Sequence, residues 1–541
     1  MNKYRCIVLV VLLFPFVHSK AQWSTDPANN LIVGYGLNPE MCSDSAGGCY
    51  ITYESGTLGY PRQLTLTRLN RYGYKPWAGD ILIRGMLPEQ WVARTTEDGH
   101  GGIIISYVDD AFSGTTVTSR LRVQRVDSSG NILWGSLGVR VSISETDQVD
   151  QDVIGDGVGG CIIAWRDTLN ILKIQRIDKL GNRVWGDTGI YLISSAGSTP
   201  LIVPDQSSGA IVAWTYTQVQ RIGSDGLLKW GIDGKDISFV VTDMMLDKYG
   251  NVYIFGFKFI GVFDGIYNWI KMINKLSPNG DTLWGKAVLL DTEKANQPSL
   301  TYLLAIDSGG IAHVLWGNYS SGSLENYIQN LRSDGSKMFP QKKKLSESTL
   351  DQTSAYMVGG KSEETIYIWA DSRSPIGYYT QDLDTIGRTI WDSSDVAVSI
   401  PGLTPGKIVS DNHGGFIFAG EGDPFSIRAQ QVSRNGKLGE VLTSVNDEKP
   451  NGLPFNFALQ QSWPNPFNNS TQISYTLAKA GSVTLKVYDM LGREITTLVQ
   501  SRQEPGEHSV TWNADRVSSG VYFYRLTAVG FVATKRMILI K

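Results

Sequence analysis

The fold is decided by a stretch that the chain repeats along most of its length. Its clearest copy is Asp156-Gly157-Val158-Gly159-Gly160-Cys161-Ile162-Ile163-Ala164-Trp165, continued by Ile174-Gln175-Arg176-Ile177-Asp178-Lys179-Leu180-Gly181-Asn182-Arg183-Val184-Trp185-Gly186. The paired glycines permit the positive φ of a tight turn, and the apolar run after them predicts a strand covered on both faces. Alternating residues at 172–178 predict a second strand. A third strand is expected to carry Trp185, and a fourth to follow at 189–193.

The same pattern recurs about every fifty residues between 23 and 443. An aromatic residue closes each copy, 45 to 57 residues after the one before, at Trp77, Trp134, Trp185, Trp230, Trp284, Phe339 and Trp391. An eighth copy begins at Asp411 and has Leu438 at the closing position. Four short strands in each of eight copies predict an all-β, eight-bladed β-propeller, with seven blades as the alternative. An open β-solenoid is disfavoured because solenoids usually repeat at shorter periods.

The two ends of the repeat region predict how the ring closes. Gln22-Trp23 and the apolar residues 31–33 have the composition of a repeat's tail, whereas the last copy lacks a clean tail after Leu438. We therefore expect the strand at 28–36 to complete the last blade, at 414–443, so that no strand edge is left unpaired.

The turn that precedes the closing aromatic has the form Asp-x-x-Gly-x-x-x-Trp, at 127–134 and 178–185. It resembles the tryptophan-docking motif of eight-bladed quinoprotein propellers, over one turn and one strand per blade. The resemblance implies that each aromatic ring packs on the neighbouring blade. The vicinal disulfide, calcium ligands and catalytic carboxylates of that family have no match here, so neither a quinone nor any other cofactor is expected.

A different pattern occupies 457–541, where six short runs are spaced like the strands of an immunoglobulin-like sandwich. Its distinctive segments are Asn465-Pro466-Phe467-Asn468, Val487-Tyr488-Asp489-Met490-Leu491-Gly492-Arg493-Glu494, Ser519-Gly520-Val521-Tyr522-Phe523-Tyr524-Arg525-Leu526 and Lys535-Arg536-Met537-Ile538-Leu539-Ile540-Lys541. These segments resemble the type A C-terminal sorting domain of the type IX (Por) secretion system of Bacteroidetes-like bacteria.

That resemblance implies export across the inner and outer membranes to the cell surface or the medium, with the export machinery as a partner. It implies that the sorting signal comprises Asn465, Pro466, Phe467, Tyr488, Asp489, Gly492, Arg493, Glu494, Gly520, Tyr522 and Lys541. Whether the domain is then cleaved off, and whether the protein is attached to a surface glycolipid or released, stays open.

The first residues predict entry into the export route. Lys3 and Arg5 precede an apolar run at 7–17, and Ser19-Lys20-Ala21 places small residues at a cleavage site before Gln22, which predicts a signal peptide at 1–21. Eleven apolar residues cannot span a bilayer of roughly 30 Å as a helix, so no transmembrane segment is expected. Residues 444–456, rich in polar residues, Pro and Gly, predict a linker between a propeller at 22–443 and the sorting domain at 457–541.

The charge balance bears on which partners the protein can bind, and the cysteines bear on its disulfides. Without residues 1–21 the chain has 46 basic and 52 acidic side chains, which argues against nucleic acid as a partner; we expect a monomer. Cys42 and Cys49 are close enough in sequence to bridge a hairpin in an oxidising compartment, and both the bridged and the free state stay open. Cys161 matches Cys49 in repeat position, which predicts a buried, apolar role.

The sequence shows no recognisable catalytic motif. His100 and His413 lie at matching turn positions, and no His-Glu-x-x-His or Gly-x-Ser-x-Gly motif occurs. Acidic residues that follow strands, Asp109-Asp110 and Asp371, are expected to be solvated turn acids rather than ligands at the mouth of the ring.

We therefore expect a non-enzymatic module that binds protein or carbohydrate. The alternative is a glycan-acting hydrolase or lyase with its site in the propeller funnel. An enzyme would gather carboxylates with Arg or Tyr in a concave pocket, whereas a binding module would expose a flatter polar and aromatic patch.

Overall fold

The computed structural model describes residues 23–439 and 458–540. Short gaps within these ranges are 57–61, 86–88, 114–115, 195–198, 215–216, 264–265, 296–297, 300, 320–322, 349, 360–363, 374, 392–394, 401–402, 460–461, 463, 478–480, 491, 504–505, 516 and 529–530. The predicted signal peptide, the predicted linker and Lys541 lie outside the described residues. The chain divides into two compact units, Met1–Val441 and Leu442–Lys541. Every regular element among the described residues is a β-strand.

The described strands of the first unit form eight four-stranded antiparallel sheets, each of them one blade. Strand β1 (Leu31–Tyr35) belongs to the last blade. Blades 1 and 2 contain β2 (Leu37–Ser43), β3 (Cys49–Ser55), β4 (Gln63–Leu69), β5 (Ile81–Ile83), β6 (Glu89–Glu97), β7 (Ile103–Ser113), β8 (Thr116–Val126) and β9 (Val139–Arg140). Blades 3 and 4 contain β10 (Gln148–Gly155), β11 (Cys161–Asp167), β12 (Ile171–Ile177), β13 (Ile190–Ser194), β14 (Leu201–Pro204), β15 (Ala210–Trp214), β16 (Gln218–Ile222) and β17 (Lys235–Asp236).

The remaining blades follow the same order. Blades 5 and 6 contain β18 (Val240–Leu246), β19 (Val252–Phe263), β20 (Ile266–Leu276), β21 (Val288–Lys294), β22 (Tyr302–Ile306), β23 (Ala312–Asn318), β24 (Glu325–Leu331) and β25 (Lys343–Lys344). Blades 7 and 8 contain β26 (Gln352–Gly359), β27 (Glu364–Asp371), β28 (Gly377–Asp384), β29 (Val396–Ser399), β30 (Thr404–Ser410), β31 (Phe416–Gly422) and β32 (Ser426–Val432), with β1 as the fourth strand of blade 8.

The ring is closed, and the first strand of each blade lines its axis. These first strands contact one another from blade to blade, and β30 contacts β2. Strand β1 pairs with β32, with Leu31 opposite Ala429 and Tyr35 opposite Ser426. The predictions of eight blades and of closure by the N-terminal strand are confirmed.

The axial strands were not predicted from the repeat pattern. In the clearest copy the first strand is β10, which precedes the paired glycines. Trp185 does not lie in a strand; it follows a single bridge between Ile177 and Arg183. The polar sequence of β10, Gln-Val-Asp-Gln-Asp-Val-Ile-Gly, faces the axis on one side and therefore lacks the apolar signature of the covered strands.

One aromatic ring per blade packs against the turn glycine of the next blade. A methyl group at Gly181, where φ is +88°, would come within 3.2 Å of the Trp134 ring, and Trp134 Nε1 donates to Lys179 O at 3.1 Å. The eight pairs are Trp23–Gly73, Trp77–Gly130, Trp134–Gly181, Trp185–Gly226, Trp230–Gly280, Trp284–Gly335, Phe339–Gly387 and Trp391–Gly436. Leu438 is therefore not the closing residue of the eighth copy: Trp23, 4% exposed, takes that place and donates to Arg71 O at 2.9 Å.

A buried ion pair fastens each of the first five blades. Asp156 Oδ1 accepts the N–H groups of Val158 and Gly160 at 2.9 and 2.8 Å, and its Oδ2 pairs with Arg176 at 2.9 Å. The equivalent pairs are Asp44–Arg68, Asp98–Arg125, Asp205–Arg221 and Asp247–Lys275.

Blade 7 departs from this arrangement, because its β28 carries Asp382 where β12 carries Arg176. Asp382 is 2% exposed. Burial, followed by repulsion from Glu364, raises the pKa of Asp382 to about 8.

The two cysteines that could have formed a bridge are free, buried thiols. The register of β2 with β3 sets Cys42 opposite Tyr50 and Ser43 opposite Cys49, so the two thiols point to opposite faces of the sheet. Cys42 packs against blade 2, and Cys49 packs against blade 8. Burial raises the pKa of both thiols and of Cys161.

The second unit is a two-sheet sandwich, as predicted. One sheet has the order β33 (Ala458–Leu459), β34 (Ser470–Leu477) and β37 (Gly506–Asn513); the other has the order β36 (Glu494–Gln503), β35 (Gly481–Tyr488), β38 (Gly520–Ala528) and β39 (Phe531–Leu539). Both sheets contribute to one core, which includes Ile473, Leu485, Trp512 and Tyr524.

Replacing Trp23 tests the closure of the ring. In the mature protein, Trp23→Ala should lower the free energy of unfolding by about 3–5 kcal/mol, because it removes a buried aromatic side chain. Trp23→Phe is the matched control and should retain most of the stability, since Phe339 fills the equivalent place in blade 6. The measurement is chemical denaturation followed by tryptophan fluorescence. An unchanged midpoint for Trp23→Ala would show that the eighth contact does not hold the ring.

Asp382 should make stability depend on pH. The pKa of Asp382 in the folded protein lies above that of an unfolded aspartate. The free energy of unfolding is therefore undiminished by this residue below about pH 4 and falls as the pH rises towards 8, because the buried carboxyl must then ionise. Asp382→Asn should match the wild type at pH 4 and exceed it by on the order of 2–5 kcal/mol at pH 9. Denaturation across this range measures the difference. The exposed Asp233→Asn variant should follow the wild type, and an equal gap at both pH values would contradict the assignment.

Candidate functional site

The two ends of the sorting module come together in the structure. Phe467 N donates to Ile538 O at 2.9 Å, and Ile540 N donates to Phe467 O at 2.8 Å. Asn465 Oδ1 accepts the N–H of Ile538 at 2.8 Å. The buried ring of Phe467 lies 5.5 Å from that of Trp512. Asn465 and Phe467 therefore hold the last strand in place.

The second predicted sorting segment, 487–494, forms a turn with an exposed tip. Asp489 Oδ1 accepts the N–H of Arg493 at 2.9 Å, and Arg493 Nε donates to Asp489 Oδ2 at 2.7 Å. Gly492 takes a φ of +77° within this turn. The side chain of Arg493 is nonetheless 74% exposed, and Glu494, paired with Lys486 at 2.7 Å, is also exposed. This turn presents charged groups to solvent.

Two further predicted sorting residues, Tyr488 and Tyr522, make contacts within the sandwich. Tyr522, two residues after Gly520, donates its hydroxyl to Ser518 O at 2.6 Å, and its ring meets Trp512 edge-on at 5.5 Å. The Tyr488 ring lies under Arg525, at 5.4 Å. Of the predicted signal residues, Pro466, Gly492, Arg493 and Glu494 are exposed.

A polar cluster occupies one equivalent position of the axial strands. Glu40 pairs with Arg94 of blade 2 at 3.0 Å and with Lys407 of blade 8 at 3.6 Å. Asp152 and Asp243 occupy the same position in blades 3 and 5. The position is therefore occupied by a charged residue type in blades 1, 2, 3, 5 and 8.

The two axial aspartates connect neighbouring blades. Asp152 Oδ2 accepts the N–H of Ile202 at 3.2 Å, and Asp243 Oδ2 accepts that of Leu304 at 2.8 Å. Burial raises the pKa of both carboxyls, that of Asp243 to about 7. Each acid satisfies the free edge of the next blade, where no fifth strand is available.

The acids at the strand ends are buried, so the expectation of solvated turn acids was wrong. Asp109 pairs with Arg122 at 2.7 Å, and Asp371 pairs with Arg373 at 2.6 Å. Asp110 Oδ2 accepts the indole N–H of Trp91 at 2.6 Å, and burial raises its pKa. These side chains are committed to partners within their own blades.

The histidines do not assemble a centre. His100 and His413 each contact the backbone carbonyl of their own turn aspartate, at 3.1 and 2.7 Å. His313 is buried against Asp307 at 3.3 Å. Among the described residues, no group of three or more His, Cys, Asp or Glu side chains is arranged to hold a metal ion.

A buried lysine in blade 5 was not foreseen, because no motif surrounds it. Lys271 Nζ lies 2.5 Å from Glu293 Oε2 and 2.6 Å from the Tyr302 hydroxyl. Burial lowers its pKa, against the opposing effect of Glu293. Ser299 lies 3.2 Å from the same Nζ, but its buried hydroxyl donates to Gly317 O. The cluster is closed to solvent and therefore structural.

Blade 5 also carries a long hairpin, similar in length to that of blade 2, and the part near its turn is exposed. Strands β19 and β20 have 12 and 11 residues, against 5 each for β15 and β16 in blade 4. Five apolar side chains near the turn are 43–50% exposed: Phe259, Ile260, Val262, Ile266 and Tyr267. We call these residues the blade 5 hairpin tip.

A ladder of aromatic rings connects the tip to the core. Phe257 lies 5.3 Å from Tyr302 and 5.7 Å from Trp269. Phe259 lies 4.8 Å from Trp269 and 6.0 Å from Tyr267. Aromatic pairs at such distances are attractive, so the ladder supports the projecting strands.

Residues 461–541 match the model of the secretion system C-terminal sorting domain. The chain is thus a β-propeller protein with a Por (type IX) sorting domain, which directs it to the cell surface or the medium. No curated protein matches the chain. No helix among the described residues is long and apolar enough to cross a membrane.

Solved structures similar to the chain include several propellers. The Dos1 propeller is 10% identical, with a TM-score of 0.40, over 75% of this chain and 94% of its own. The lectin BP39L of Burkholderia pseudomallei is 9% identical, with a TM-score of 0.36, over 66% of this chain and 98% of its own.

A third similar structure is PorZ, a surface component of the type IX secretion system of Porphyromonas gingivalis. It is 10% identical, with a TM-score of 0.24, over 95% of this chain and all of its own. Likenesses this distant carry no function over to this chain.

Proposed function

We propose that the first unit is a non-enzymatic module that binds an extracellular protein through the blade 5 hairpin tip. The observation that carries this proposal is the cluster of five exposed apolar side chains on projecting strands. Exposed apolar patches of this kind mark interaction surfaces. Three of the five, Ile260, Val262 and Ile266, are aliphatic, which favours a protein over a carbohydrate because they offer no flat ring for a sugar to stack on.

The alternative, a glycan-acting hydrolase or lyase, finds less support. A glycoside hydrolase of the usual kind needs a pair of carboxyl groups open to substrate. The described acids at the strand ends, Asp109 and Asp371, are buried and held by Arg122 and Arg373.

We also propose how the sorting module is recognised. Arg493, Glu494 and Pro466 present themselves to the export machinery, whereas Asn465, Phe467 and Tyr522 act by keeping the sandwich folded. In the same proposal, residues 1–21 are a cleaved signal peptide and residues 444–456 are the linker in which processing takes place.

The hairpin tip can be tested by site-specific photo-crosslinking on intact cells. A photoreactive phenylalanine at position 267 should give a discrete protein adduct, whereas the same group at Leu180, an exposed apolar residue of a turn in blade 3, should give none. Adding Ile260→Ser and Val262→Ser should reduce the adduct at least tenfold, because the two changes remove apolar surface from the proposed contact. Both side chains are solvent-exposed, so the fold should survive. Equal labelling from positions 180 and 267, or an adduct that survives both changes, would contradict the proposal.

The sorting proposal separates recognition from folding. Deleting 457–541 should leave the protein in the periplasm. Arg493→Ala should reduce the exported fraction severalfold without changing the melting temperature, whereas Phe467→Ala should destabilise the module by about 3–5 kcal/mol. Arg502→Ala, at another exposed arginine, is the matched control. Cell fractionation and thermal melting measure the two effects, and normal export of the deletion variant would overturn the assignment.

A further inference from the structure

We propose that a groove between blades 4 and 5 binds an anionic sugar residue. The groove has a volume of about 350 Å³, and its lining includes Lys235, Ser238, Lys258, Met272, Asn274 and Lys286. This volume is in the range of small-molecule sites. None of the five residues of the hairpin tip belongs to the lining of the groove.

The groove lies where blade 5 has a shorter side chain than blades 2 to 4 have at the equivalent position. In blade 3, Gln175 Oε1 accepts the N–H of Trp185 at 2.9 Å, and its Nε2 donates to Gly186 O at 2.6 Å. Gln124 and Gln220 make the same two contacts in blades 2 and 4. Blade 5 has Asn274 at this position, one methylene shorter, so the space beside Gly285 stays open.

Asn274 offers a hydrogen-bond donor to this space. The residue is only 6% exposed. Its Oδ1 accepts the N–H of Lys275 at 2.8 Å, and its Nδ2 has no hydrogen-bond partner among the described residues. A ligand hydroxyl or carboxylate in the groove can accept a hydrogen bond from this amide.

A second departure from the repeat supplies positive charge. In blades 1 to 3 an aliphatic side chain, Ile81, Val139 or Ile190, covers the turn glycine of the next blade. In blade 4 this place belongs to Lys235, whose Cε would lie 2.6 Å from a methyl group at Gly280. Lys258 and Lys286 also line the groove, so that three lysines face one acid, Asp236, among the lining residues. A groove with this excess of lysine, in a chain with a net negative charge of −3, favours an anion.

The lining favours a sugar acid over a bare inorganic anion. Phe239, Met272 and Ala287 give the groove an apolar wall, on which the C–H face of a pyranose ring can rest. Ser238 and Asn274 offer hydrogen bonds to hydroxyl groups. The lysine ammonium groups are point charges that suit a carboxylate.

The test uses variants that restore the pattern of the other blades. Calorimetric titration of the full mature chain with glucuronate should show binding at least tenfold tighter than with glucose or with inorganic sulfate. Asn274→Gln should fill the groove and lower the glucuronate affinity at least tenfold without lowering the melting temperature, since it restores the contacts that Gln175 makes. Lys235→Ile should weaken binding similarly, and Lys179→Ala, at an exposed lysine of a turn in blade 3, should leave it unchanged.

Each contrary outcome is informative. Undetectable glucuronate binding by the wild type, or full affinity in both Asn274→Gln and Lys235→Ile, would overturn the site. Equal affinity for glucose would overturn the need for an anion, and equal affinity for sulfate would overturn the need for a sugar.

Discussion

The first unit depends on the packing of one aromatic ring per blade against the turn glycine of the next blade. A four-stranded sheet has two faces and cannot cover both by itself, so the apolar clusters of the propeller lie between neighbouring blades. The eighth contact is made by Trp23, from the other end of the propeller sequence. Gln430 Nε2 donates to Ser24 O across 406 residues of chain. Closing so long a loop costs conformational entropy, and buried contacts such as the Trp23 ring offset this cost.

Buried ion pairs also hold the propeller together, within single blades and between neighbouring ones. The pair of Asp156 with Arg176 joins the turn between two strands of blade 3 to the next strand, as its equivalents do in blades 1, 2, 4 and 5. Arg176 also donates to Ser224 O of the following blade. At the axis, Glu40 forms ion pairs with Arg94 and Lys407, which belong to the blades on either side of it. Removing one member of such a pair would leave an unpaired buried charge. These buried acids therefore hold strands together within a blade, as Asp156 does, or between blades, as Glu40 does.

The sequence was sufficient for those features that are written in local patterns. The paired glycines, the Asp-x-x-Gly turns and the closing aromatics predicted eight blades, and the tail-like residues near Trp23 predicted closure. The axial strands were missed because β10 is polar on the side that faces the axis. The acids at Asp109 and Asp371 were misjudged because their partners, Arg122 and Arg373, carry no motif. The opposite orientations of Cys42 and Cys49 follow from strand register, which sequence proximity does not reveal.

The proposed binding sites could not be predicted, because each arises where two neighbouring blades differ in length or in one side chain. Strands β19 and β20 of blade 5 are longer than the corresponding strands of blades 4 and 6, which leaves the hairpin tip exposed. The groove lies at the face of blade 5 that meets blade 4. Its base keeps the common fasteners: Trp284 lies on Gly335, and Lys275 pairs with Asp247 at 3.1 Å. These contacts hold blade 5 in the ring. The hairpin tip and the lining of the groove take no part in them, so their residues can differ from those of the other blades. The fold also tolerates Asn274 for this reason. The glutamines of blades 2 to 4 accept the N–H of the closing tryptophan, and Asn274 lacks this contact, but the Trp284 ring is already held by Gly335 of the next blade.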